Sequence, residues 1–142
     1  MTAPPGIGTV LLIDDESFDQ KLYKRVIDRS GLVKEALSFL YADEALAYLM
    51  SPDCKAIDVI FLDIHMPRMN GFEFLDAATQ ALGPDFAKLV VVMLTTSLER
   101  RDRERAAGYS VVRRFIGKPL TVEHIVEVAS LLQDRGDQPA RD

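Results

Sequence analysis

Cysteine is nearly missing from this chain: Cys54 stands alone in 142 residues. One cysteine closes no internal disulfide, and no Cys/His cluster has zinc-ligand spacing. That fits a reducing compartment. Long apolar runs are missing too, since none approaches the ~18 residues a membrane span requires. The opening MTAPPGIG has neither the basic stretch nor the apolar stretch of a secretory signal. Basic charge is in deficit: Lys and Arg total 17 against 22 Asp and Glu, a formal net charge of −5. That balance argues against non-specific nucleic-acid binding, which needs a basic face to displace counterions. These absences point to a soluble cytoplasmic protein that engages neither nucleic acid nor membrane.

What is present is enough apolar material for one packed domain, with 48% hydrophobic residues. The ordered domain is expected over 9–133, with flexible termini at 1–8 and 134–142, where Pro, Gly and polar residues dominate. Short apolar runs alternate with helical patterns. Strands are expected at 10–13, 36–39, 59–62, 89–94 and 114–117. Between and after them, helices are expected over 43–50, 71–82 and 98–107, and from Thr121 onward. The first helix carries Phe18, Leu22, Val26 and Ile27 at helical spacing, with Ser17 as its N-cap and Gly31 past its end. Strands apolar throughout and separated by helices mean a parallel sheet covered on both faces. The expected fold is therefore α/β, a three-layer doubly wound sandwich with a five-stranded parallel sheet.

In such sheets ligands bind beyond the C-terminal ends of the strands, where the strand order reverses. The strand ends here are unusual. The first ends in Asp14-Asp15-Glu16 and the third runs VIFL into Asp63. The fourth ends in Thr95-Thr96-Ser97 and the fifth in Lys118-Pro119. With the first and third strands adjacent, Asp14, Asp15 and Asp63 meet at one edge. Three carboxylates there repel one another unless a cation sits among them, and hard oxygen donors suit Mg2+. Lys118 supplies a compact cation and Thr95 a hydroxyl. That set suits phosphoryl transfer to a carboxylate, with Asp63 as nucleophile. Taken singly, each residue has a plainer reading. The acid pair could cap a helix, Lys118 could be a solvated lysine and Thr95 a turn hydroxyl.

IDDE (13–16), FLDIHMPRMNG (61–71), MLTTS (93–97) and GKPL (117–120) occur in the order and nearly the spacing of one known family. The chain resembles the receiver domain of bacterial two-component response regulators, a CheY-like, flavodoxin-like (βα)5 fold. The resemblance implies that Asp63 accepts a phosphoryl group from a sensor histidine kinase. It implies that Asp15 ligates Mg2+ directly, Asp14 through water, and His65 through its backbone carbonyl. It makes Thr95 the switch hydroxyl, with Thr96 as the alternative, and Phe115 the aromatic switch residue. It also implies that the Lys118-Pro119 bond is often cis. The segment 108–114 (GYSVVRR) departs from the family's usual glycine-alanine turn, which bears on the helix before it and the surface there. No output domain follows in this sequence, so the expected protein is a single-domain regulator, monomeric or homodimeric. It would act on a downstream protein or a histidine phosphotransfer protein, catalysing only its own phosphoryl transfer and dephosphorylation. The competing readings are a phosphorylation-independent interaction module, an aspartyl phosphatase and a flavodoxin-like cofactor binder. His65 stands where that phosphatase class needs a second aspartate, and IDDESF would repel a cofactor phosphate. His65 reads first as a solvent-facing loop side chain; the alternative is an imidazole that overlies the reactive carboxylate and tunes hydrolysis. The run ERRDRER (99–105) reads as a solvated helix face or a docking face.

Overall fold

The computed structural model describes residues 6–96 and 99–137, with side chains as far as 133. Along the chain run β1 (Ile7–Ile13), α1 (Ser17–Ser30), β2 (Val33–Phe39), α2 (Ala42–Met50), β3 (Val59–Asp63) and α3 (Gly71–Leu82). There follow α4 (Pro84–Ala87), β4 (Val90–Thr95), α5 (Arg100–Ala107), β5 (Val112–Gly117) and α6 (Val122–Asp137). All four strand pairings are parallel, in the order β2-β1-β3-β4-β5. The order reverses between β1 and β3, so that junction is the switch point of the sheet.

Side chains alternate between the faces of a strand, and here the alternation builds two separate cores. Val10, Leu12, Val59, Phe61, Val90, Val92 and Leu94 pack with Tyr23 and Ile27 of α1 and Ile125, Val128 and Ala129 of α6. Leu11, Ile13, Ile60, Leu62, Val91 and Met93 pack on the other face with residues of α2, α3 and α5. The result is the α/β three-layer sandwich.

The structure departs from the sequence expectations at several boundaries. β1 begins at Ile7, inside the segment expected to be flexible: Ile7 is buried and its N–H bonds to the carbonyl of Leu32. Gly8 donates its N–H to the carboxylate of Asp58 at 2.8 Å, and a Cβ on Gly8 would lie 2.5 Å from that oxygen. Segments 1–5 and 138–142, and residues 97 and 98 where the helix after β4 was expected to begin, lie outside the described residues. Glu16, not Ser17, is the N-cap of α1, and Phe18 is 73% exposed rather than packed. The buried stripe of α1 is Gln20, Tyr23 and Ile27. The helix stops at Gly31, whose φ of 67° is a left-handed conformation that glycine adopts without cost. α4 was not expected. Gly83 at φ 57° and Pro84 at the first helical position start it, and Phe86 buries against Phe74 edge-on. Thr121 caps α6 rather than opening it. Its hydroxyl accepts the N–H of His124 at 3.3 Å, and His124 Nδ1 accepts the N–H of Thr121 at 3.0 Å. α6 continues to Asp137, past 133. Among the described residues no helix is long and apolar enough to cross a membrane.

Candidate functional site

Register and alternation place the reactive side chains before any chemistry is considered. Ile13 pairs with Leu62, so the next residues, Asp14 and Asp63, stand level at the switch point. Asp14 shares its face with Val10 and Leu12, Asp63 with Val59 and Phe61, and Lys118 with Ile116. All three therefore belong to the α1/α6 face. Thr95 and Phe115 have the opposite parity and belong with Met93 on the α5 face.

The oxygens of Asp14, Asp15 and Asp63 can approach within 4.8 Å of one another. Asp14 and Asp63 are 2% and 7% exposed, and Asp15 is half-buried. Lys118 reaches in from the far end of the sheet. Its Nζ lies 2.8 Å from Asp14 Oδ2, 3.1 Å from Asp19 Oδ2 and 3.6 Å from Asp63 Oδ1. Asp19, which the sequence reading passed over, is thus a third carboxylate on the lysine. Burial pushes the Asp63 carboxyl up from 3.8 to about 6; Lys118 opposes this and Asp14 reinforces it. Burial likewise raises Asp14, against the hydrogen bond from Lys118. Burial alone would lower Lys118, but its bond to Asp14 and the charge of Asp63 outweigh that and hold it above its ordinary value. The side chains of the pocket therefore carry more negative charge than one lysine balances.

The backbone around these acids is pinned. Asp14 donates its N–H to Phe39 O at 3.1 Å, and its Oδ1 accepts the N–H of Glu16 at 2.9 Å. Gln20 was not singled out in the sequence, because a glutamine in a charged helix looks solvated. It is 6% exposed, and its Nε2 reaches the carbonyls of Leu12 (3.1 Å), Asp14 (3.0 Å) and Phe39 (3.0 Å). One amide ties the ends of β1 and β2 beneath the acid pair. Downstream of Asp63, Gly71 donates its N–H to Ile64 O at 2.8 Å, and Asn70 and Glu73 form a reciprocal capping box that opens α3. Arg68 adopts φ 70°, and its guanidinium pairs with Asp43 and lies 4.0 Å from the ring centroid of Tyr41, fixing the β3–α3 loop to α2.

Thr95 is fully buried at the end of β4, opposite Gly117, and its carbonyl accepts the Lys118 N–H at 2.9 Å; Thr96 is exposed. The Lys118-Pro119 peptide is cis. Phe115 is half-buried, with the Arg103 guanidinium 5.7 Å from its ring centroid. The His65 side chain is 63% exposed, and its Nε2 lies 3.3 Å from Asp102 Oδ2 on α5. The side chain is thus largely solvent-facing, and its imidazole meets α5 rather than overlying the reactive carboxylate, the alternative reading. Cys54 is a half-buried free thiol remote from this pocket in the fold, on the α2–β3 connection.

A family model, the response regulator receiver domain, matches residues 10–130. The hydrogenase transcriptional regulatory protein HoxA of Cupriavidus necator is 30% identical over 84% of this chain and 23% of its own length. The sensor histidine kinase CheAY of Helicobacter pylori is 30% identical over 94% of this chain and 16% of its own. The chain thus spans under a quarter of these two relatives. Among solved structures, a two-component response regulator from Cytophaga hutchinsonii is 29% identical. It superposes with a TM-score of 0.85 over 91% of this chain and 98% of that one. Chemotaxis protein CheY4 of Vibrio cholerae, 23% identical, shares the fold with a TM-score of 0.73 over 89% of this chain and 99% of that one. With its strand-end acids, its lysine and a match over nearly the whole described chain, the protein belongs to the response regulator receiver domain family.

Proposed function

We propose that Asp63 takes a phosphoryl group from a sensor histidine kinase in a Mg2+-dependent reaction. The chain then signals by protein binding, or passes the group to a histidine phosphotransfer protein. The observation that carries this reading is the buried carboxylate of Asp63 at a strand end, 3.6 Å from a lysine and beside two further acids. The donor set fits Mg2+: hard carboxylate oxygens, with Asp15 open enough to leave room for the waters this ion retains. Asp14, Asp15, Asp63 and the carbonyl of His65 would hold it, and it would supply positive charge against the phosphoryl oxygens.

The residues divide the work. Asp63 Oδ1 accepts the Ile64 N–H at 2.9 Å and faces Lys118, which leaves Oδ2 as the attacking oxygen. A new O–P bond forms as the N–P bond of the phosphohistidine breaks; the electron pair leaves on the imidazole nitrogen, which takes a proton. Lys118 keeps its charge and offsets that of the phosphoryl oxygens. Thr95 supplies a hydroxyl from the end of β4, and Phe115 shares its face of the sheet, so a change at Asp63 is read out on the α5 side. The chain turns over only its own acyl phosphate.

Incubation with Mg2+ and acetyl phosphate is expected to add one phosphoryl group by intact mass. Borohydride reduction should then convert residue 63 to homoserine. A label on another residue, or none from either acetyl phosphate or a phosphorylated kinase domain, overturns the proposal.

Gln20 yields a second expectation. Gln20→Met keeps the length but removes the donors that hold the Asp14 carbonyl. It should weaken Mg2+ binding by about 10- to 100-fold, as loss of groups that orient metal ligands does. Titration calorimetry measures this directly. The rise in melting temperature on adding Mg2+ should shrink as well. A purely structural role would lower the metal-free melting temperature and leave the Mg2+ affinity unchanged.

A further inference from the structure

Lys118 is held by more acid than phosphoryl transfer asks of it. A charged Nζ carries three N–H donors. One goes to Asp14 Oδ2 at 2.8 Å and one to Asp19 Oδ2 at 3.1 Å. Asp63 Oδ1, at 3.6 Å, is beyond hydrogen-bond reach. The lysine therefore leans toward α1 and away from the reactive carboxylate.

α1 is built to hold that position. Asp19 stands in its first turn, and Tyr23 follows one turn later on the same face. The Tyr23 ring is buried, with its centroid 6.0 Å from Lys118 Nζ. Gln20, between them in sequence, ties the helix to the ends of β1 and β2 through three carbonyls. Asp19 is thus a half-buried acid on a pinned helix turn, and among the described residues no other cation pairs with it.

The three carboxylates around the lysine differ in what they offer a metal ion. Asp14 and Asp63 belong, with Asp15, to the cluster whose oxygens come within 4.8 Å of one another; Asp19 stands outside it. A divalent cation in that cluster claims Asp14 and Asp63 and repels the ammonium. Asp19 is the partner that remains to the lysine. Without it the ammonium would settle between Asp14 and Asp63, where an entering cation must displace it.

We propose that Asp19 is a positioning residue that draws Lys118 off Asp63 and so keeps the reactive carboxylate open to Mg2+. This deepens the function proposed above and rests on it for the identity of the ion, but its tests use no phosphoryl donor. The plainer role for an acid in a first helical turn is to offset the helix dipole. That role entails lost stability with unchanged metal affinity.

Titration calorimetry with magnesium chloride on the full chain separates the two. Asp19→Asn should bind Mg2+ about tenfold more weakly, as when a group that orients a metal site without entering it is lost. Asp19→Glu keeps a carboxylate on the lysine and should recover most of that loss. In a Lys118→Met background, Asp19→Asn should cost only about twofold, the direct effect of one screened charge. A crystal structure of metal-free Asp19→Asn gives a measurement that does not need the lysine variant to fold: Nζ should move within hydrogen-bond distance of Asp63 Oδ1. Unchanged Mg2+ affinity in Asp19→Asn, an equal loss with and without Lys118, or a lysine that keeps its distance from Asp63 in the variant overturns the proposal. A wild type that shows these dependences yet takes up no phosphoryl group overturns the proposed function and leaves this inference standing.

Discussion

Asp63→Asn is expected to stabilise the metal-free protein at pH 8 while abolishing phosphoryl uptake. The folded-state carboxyl titrates at about 6, above the 3.8 of a free aspartate. Below about pH 4 both folded and unfolded chains hold the proton, and the side chain costs nothing. As pH rises from 4 to 6 the unfolded chain releases its proton first, so the folded state loses ground. Above 6 the whole cost remains, about 3 kcal/mol for a displacement of this size. Asparagine removes it. Urea unfolding in EDTA should show the variant more stable by up to that amount at pH 8 and equal to the wild type at pH 3.5. A variant less stable at pH 8 would show that the attraction of Lys118 for Asp63, at 3.6 Å, outweighs burial and the nearby acids. Phosphoryl uptake from acetyl phosphate should be lost at every pH, because the amide oxygen is a poor nucleophile.

Gly71→Ala should be the most damaging small change near the site. Glycine is needed there for space, not for φ. A Cβ would lie 2.6 Å from the backbone oxygen of Asp63 itself, 3.1 Å from Ile64 Cα and 3.2 Å from Met93 Cε. The methionine can yield; the two backbone atoms cannot without shifting the reactive residue. Overpacking of this kind costs about 1–3 kcal/mol, or roughly 3–10 °C in melting temperature for a chain of this size. Uptake from acetyl phosphate should slow beyond what the lost stability explains, because the displaced atom belongs to the nucleophile. Differential scanning calorimetry beside single-turnover labelling at a temperature where both proteins are folded separates the two effects. A variant with wild-type melting temperature and rate would mean that the β3–α3 loop moves aside freely.

The acids, the lysine and the sheet were legible because each depends on local sequence. A strand apolar on both faces announces itself, and a carboxylate at its end stands out. Boundaries were less legible. β1 gains its first two residues, Ile7 and Gly8, from hydrogen-bond partners, Leu32 and Asp58, that lie far along the chain. α4 was hidden because Pro84 reads as a breaker, yet at a first helical position it is a starter. Gln20 and Asp19 were missed for a shared reason. On a helix with low mean hydropathy, burial is decided by which face meets the sheet ends, and polar residues give no periodic signal of it. The His65–Asp102 contact joins residues 37 positions apart, on a loop and a helix that only the fold brings together. Alternation, once the register was known, resolved what the strand ends alone had left open. It separated Asp14, Asp63 and Lys118 on one face from Thr95 and Phe115 on the other.

Lys118 and Asp14 are 104 residues apart in the sequence, yet they share a hydrogen bond of 2.8 Å. Contacts of such long span form late, since the loop they close must first be ordered by everything between. A chain still emerging from the ribosome already holds Asp14, Asp15 and Asp63, but it has no lysine among them until β5 joins the outer edge of the sheet. Assembly of the pocket is thereby tied to completion of the sheet: a copy truncated before β5 presents Asp14, Asp15 and Asp63 without the Lys118 counter-charge.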